Sequence, residues 1–139
     1  MTAVNDDADR LGSDSTVLAR RMRLEARPNP GVNLDYLSVL TANTPGDGVK
    51  ITLRYVPAKL SLSADTFAGY LAMIAPESER MLEALALAVL DDINNEIVPR
   101  WVQIVAVRTA PDTTVHQVIV EDRQPKWDNP ALLARLERY

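Results

Sequence analysis

The chain has 139 residues, 47% of them hydrophobic, and a net charge of −4, which suits one domain with a core of its own. It has no cysteine and one histidine, so thiolate catalysis, disulfides, Cys-type zinc sites and a multi-histidine metal site within one chain are excluded. Its acidic balance, its 5% aromatic content and the isolation of its one basic cluster (19–23, Ala-Arg-Arg-Met-Arg) argue against nucleic acid as a partner and favour a helix surface for that cluster.

In chain order, residues 1–14 are small, polar and charged without periodicity, and read as a flexible segment with no secretory signal. Residues 15–25 are suited to a short helix capped by Ser15 or Thr16. Arg-Pro-Asn-Pro-Gly (27–31) should break regular structure and open the core fold. A weakly alternating strand is expected over 35–41, a turn at 44–48, and a clean strand over 49–56. In that strand Val49, Ile51, Leu53 and Tyr55 share one face.

Two helices follow. Ser63 is placed to cap the first, whose Phe67, Tyr70, Leu71 and Ile74 fall at helical spacing. The second spans 77–97, buries Leu82, Leu85, Ala86, Val89, Ile93 and Ile97, and stops at Pro99. Strands are then expected over 100–108 and 113–120, with a C-terminal helix capped by Asn129 and opened by Pro130. No apolar run is long enough to span a membrane.

The order β-β-α-α-β-β implies an α+β fold: an antiparallel sheet with both helices on one face. The domains divide as a flexible segment with a short helix (1–26), the sheet-and-helix domain (27–124) and a C-terminal helix (125–139). The open sheet edges predict a homo-oligomer, a dimer or a larger ring, in the cytoplasm.

Pro-Asn-Pro-Gly-Val-Asn-Leu-Asp-Tyr (28–36), Tyr55-Val56-Pro57, and a helix ending Leu-Asp-Asp-Ile (90–93) before Pro99-Arg100-Trp101 resemble, in colinear order, the 7-cyano-7-deazaguanine (preQ0) reductases, which are tunnelling-fold (T-fold) proteins. The resemblance covers about residues 28–108. It implies the T-fold half-barrel, with ligands held between subunits. The family's nucleophilic cysteine and general-acid aspartate lie in a long loop between the first two strands. Here that loop is only residues 42–48, and Asp47 is a poor stand-in for the acid. Without a thiolate no thioimide adduct can form.

The family's nicotinamide-cofactor segment falls on residues 63–70. Ser63 replaces its Glu, Asp65 and Ala68 replace its two Lys, and Tyr70 alone remains. Losing two cations removes the charge partners of a 2′-phosphorylated dinucleotide, so no cofactor is expected. The resemblance places the family's His-Glu pair on Leu82 and Glu83. Glu83 then reads either as the anchor of a purine- or pteridine-like ring, accepting two parallel hydrogen bonds, or as a surface carboxylate paired with Arg80. Whether the chain is an enzyme stays open, and any catalysis would be cofactor-free acid/base chemistry. The alternative is a non-catalytic scaffold or a partner subunit of a catalytic homologue.

The remaining polar residues have plainer readings. His116 and Lys59 are expected to be solvated and Asp92 to make a structural hydrogen bond. Arg100 should pair with a carboxylate, Trp101 should lie in the core or at a subunit interface, and Tyr36 and Tyr55 should pack.

Overall fold

In the computed structural model the described residues are 16–46, 48–74 and 81–136. Their sheet is built outward from its most regular strand. Alternation in Lys50–Val56 (β3) turns Ile51, Leu53 and Tyr55 to one face, where all three are buried. β3 pairs antiparallel with Ser38–Asn43 (β2) on one side and with Trp101–Thr109 (β5) on the other. Val115–Arg123 (β6) pairs antiparallel with β5, giving the order β2-β3-β5-β6. Register stacks Leu40, Leu53, Ile104 and Val120 in one row, and Ala42, Ile51, Ala106 and Val118 in the next. These rows meet the helices.

The helical layer consists of α1 (described over 16–21), a 3-10 turn (Ala64–Thr66) leading into α2 (Phe67–Ile74), and α3 (Leu82–Ile97). α3 packs on β5 and β6, and α2 lies beside β2. The stripe expected for α3 is buried as read, with Leu90 and Asp92 added to it. A short C-terminal helix, α4 (Pro130–Ala134), is capped by Asn129, whose side chain accepts from the Leu132 amide at 3.0 Å. The core strands and central helices follow the expected β-β-α-α-β-β order, with both central helices on one face of the antiparallel sheet. No helix among the described residues is long and apolar enough to cross a membrane.

Two short strands interrupt the expected pattern. Ala26–Pro28 (β1) pairs antiparallel with Leu60–Leu62 (β4), so the proline-rich stretch begins as a strand. Pro28 sits at the end of a two-stranded ribbon, where its missing N–H removes little. The first core strand starts at Ser38 rather than 35, because the residues before it are held elsewhere. Tyr36 donates its hydroxyl hydrogen to Asn29 Oδ1 (2.6 Å), and Asn29 Nδ2 donates to the Ala58 carbonyl (2.7 Å). The last core strand runs past the expected 120 to Arg123, paired throughout with β5.

The abrupt switch from α3 to β5 has a visible geometry. Val98, at the C-terminal cap of α3, adopts the left-handed conformation (φ 50°, ψ 56°), and the Arg100 amide then donates to the Val56 carbonyl at 2.8 Å. A β-branched residue there carries strain of about 1–3 kcal/mol, so the reversal is enforced by the ladder and by Pro99 rather than by local preference.

Candidate functional site

Of the four residues singled out from sequence, Glu83 is the one whose side chain reaches water. Leu82, its neighbour on α3, points into the core and is buried. That anchors the first turn and turns Glu83 outward, 48% exposed, toward the start of β6. There its Oε1 lies 3.7 Å from Nε2 of His116, which is exposed to the same extent. His116 stands opposite Arg108 in the β5–β6 register. Arg80, the other partner considered for Glu83, and Asp47 in the shortened loop lie outside the described residues. The chain therefore brings a carboxylate and its one imidazole together at the end of a strand whose outer edge is unpaired among the described residues.

Ser63 opens the 3-10 turn without a side-chain capping bond. Its amide donates to the Glu25 carbonyl (2.8 Å), and its own carbonyl accepts from the Thr66 hydroxyl (2.8 Å). It lines a shallow cleft of about 460 Å³ with Arg27 and Asp65.

Tyr70 has no open route to a ligand. It is buried on α2, and its hydroxyl donates to Asp92 Oδ2. Burial, and then the adjacent Asp92 charge, push its hydroxyl pKa far up. Asp92 lies nine residues beyond Glu83 on α3, about 13 Å along the helix axis, so Tyr70 and Glu83 serve different places.

Asp92 is the centre of a buried polar cluster whose donors are distant in sequence. Oδ2 accepts from Arg20 Nε (2.7 Å) as well as Tyr70, and Oδ1 accepts from Arg21 Nε (2.7 Å) and Arg20 Nη2 (3.3 Å). Both oxygens are occupied, so Asp92 acts structurally, as expected. Arg20, by contrast, is not on a helix surface: it is buried and ties α1 to α3. A signal for this was present in the sequence. A carboxylate on the buried stripe of α3 requires cationic or hydrogen-bonding partners, and Arg20 and Arg21 precede the domain in tandem.

A second carboxylate organises the opposite end. Arg100 pairs with Asp35 (Nη1 to Oδ1, 3.1 Å), as the Pro-Arg-Trp reading implied, and also donates to the carbonyls of Leu34 (3.0 Å) and Val32 (2.6 Å). Asp35 Oδ2 accepts from Trp127 Nε1 and Asn129 Nδ2, each at 3.0 Å. Partial burial raises the Asp35 pKa, but those two hydrogen bonds and the Arg100 charge outweigh it, and the net shift is downward. Trp101 is buried, with its indole N–H near Glu121 (3.4 Å). No group of three His, Asp or Glu side chains among the described residues is arranged to hold a metal ion.

No protein-family model matches the chain, and no curated protein matches it. Among solved structures it is similar to the archaeosine synthase QueF-Like in the apo form. The two are 17% identical, with a TM-score of 0.47, over 63% of this chain and 90% of that one.

Proposed function

We propose that the chain is a diverged T-fold protein that binds a purine- or pteridine-like heterocycle at a junction between subunits, with Glu83 gripping the ring edge. The observation that carries this reading is the position of Glu83. It is accessible, held outward by buried Leu82, and adjacent to the free edge of β6, where a second copy adding its own strand would face it. A carboxylate accepts two parallel hydrogen bonds from the adjacent N–H groups of a guanine- or pterin-like ring. His116 beside it supplies an imidazole able to accept from, or donate to, the same ring.

With no cysteine in the chain there is no thioimide chemistry, and the replaced lysines leave no site for a nicotinamide dinucleotide. In this reading Leu82 and Tyr70 position the helices, Ser63 lines a separate cleft with Arg27 and Asp65, and the assembly is a cytoplasmic homo-oligomer.

The test is thermal denaturation with guanine and pterin added in turn. One of them should raise the melting temperature of the wild type and leave Glu83→Ala unmoved, while the variant itself melts within about 1 °C of wild type, as an exposed substitution should. No shift by either compound sinks the reading.

The second reading is a scaffold or partner subunit of a catalytic homologue. It is favoured by the consumption of Tyr70 and Asp92 in internal bonds while, among the described residues, both outer strands, β2 and β6, keep free edges. It predicts association in sedimentation that neither compound nor Glu83→Ala alters.

A further inference from the structure

At the end of the molecule away from Glu83, the reversal from α3 into β5 and the β3–β4 turn enclose a cleft of about 470 Å³. That volume lies within the range of small-molecule sites. Val32, Leu60, Ile97 and Val98 give it apolar walls, and its two charged lining residues, Lys59 and Arg100, are both cations. Arg100 is committed to Asp35 and to two loop carbonyls, and so fixes the 32–35 wall in place. Gln124 Nε2 holds the Val98 carbonyl at 3.3 Å on the other side. The walls are therefore preformed.

Lys59 is different. Among the described residues its backbone carbonyl accepts from the Asn29 amide, but no hydrogen bond or ion pair engages its ammonium. Val98, 54% exposed and in the left-handed conformation, forms the lip. A strained β-branched residue, exposed apolar side chains and a free cation thus coincide at one concavity.

We propose that this cleft binds a small organic anion: a carboxylate or sulfonate on a compact aromatic or branched aliphatic body. The body lies against Ile97, Leu60 and Val98, and the anionic group pairs with the Lys59 ammonium. A neutral apolar compound would leave that ammonium unpaired beside it, whereas an inorganic anion would leave the apolar walls wet. The pairing of charge with apolar surface is what selects the class. This site is independent of Glu83 and stands whether or not a heterocycle binds there.

The experiment is a fluorescence titration of the full chain with anilinonaphthalene sulfonate, and with uncharged phenylnaphthylamine as its control. The sulfonate should bind saturably to the wild type, at least about tenfold more weakly to Lys59→Met, and within about threefold of wild type to Lys59→Arg. The neutral dye should bind wild type and Lys59→Met alike. Amide chemical-shift changes should centre on residues 58–60 and 97–100. Circular dichroism confirms that each variant is folded, as expected for an exposed lysine.

Equal sulfonate affinity for wild type and Lys59→Met overturns the proposal. So do shift changes centred on the open face of the sheet. A melting temperature lowered by Lys59→Met with unchanged dye affinity would assign the lysine to the carbonyls at the end of α3 and also overturn it.

Discussion

Asp92 and Asp35 solve the same problem in opposite surroundings. Each gathers donors from three residues and joins segments far apart in the chain. Asp92 binds α1 and α2 to α3; Asp35 binds the C-terminal segment and Arg100 to the loop before β2. Asp92 is fully buried, whereas the Asp35 side chain is 26% exposed. Water can replace a lost donor at Asp35 and cannot at Asp92. The cluster around Asp92 therefore behaves as part of the core, although it is ionic, and the one around Asp35 behaves as an adjustable clasp.

The largest effect should come from Asp92→Ala. It removes the carboxylate that Arg20, Arg21 and the Tyr70 hydroxyl share, and loss of one partner from a buried ionic cluster costs about 3–5 kcal/mol. Urea denaturation should show that loss, with earlier proteolytic cleavage in α1. A change below about 1 kcal/mol would mean that the cluster is not sealed from water and would erase the contrast with Asp35. Tyr70→Phe removes one hydrogen bond to a charged acceptor and leaves the guanidinium pairs. It should cost about 1.5–3 kcal/mol by the same measurement.

Smaller again is Asp35→Asn, which keeps the shape and weakens the charged interactions of a partly exposed group. About 1 kcal/mol is expected at neutral pH. Because its folded pKa lies below the ordinary value of 3.8, Asp35 contributes stability that is present above that value and is lost as pH falls through the lower folded value. Wild type should therefore lose stability below about pH 4, and Asp35→Asn should show a shallower acid slope. Parallel slopes would show that other carboxylates govern the acid limb.

β3 and both central helices were legible because each has a strong period: two for Ile51, Leu53 and Tyr55, and helical for Leu82, Leu85, Val89 and Ile93; the first and last core strands alternate more weakly and were bounded by the turn residues beside them. β1 and β4 were not, since three residues carry no periodicity and their pairing is nonlocal. The pair Glu83 and His116 could not be read from spacing at all, because it depends on where β6 lies beside α3. Arg20 was misplaced for a related reason: a helix with Leu18 exposed, Met22 exposed in the turn after it and an arginine inside inverts the usual rule of apolar residues inward. What decides the matter is Asp92, seventy-two residues later.

That separation sets an order of events during synthesis. At typical elongation rates of about 5–20 residues per second, the partner of Arg20 emerges several seconds after the arginine itself. Until then the first helix has nothing to dock on. The segment carrying Arg20 and Arg21 must wait, solvated, for the second half of the domain, so α1 is among the last pieces to settle.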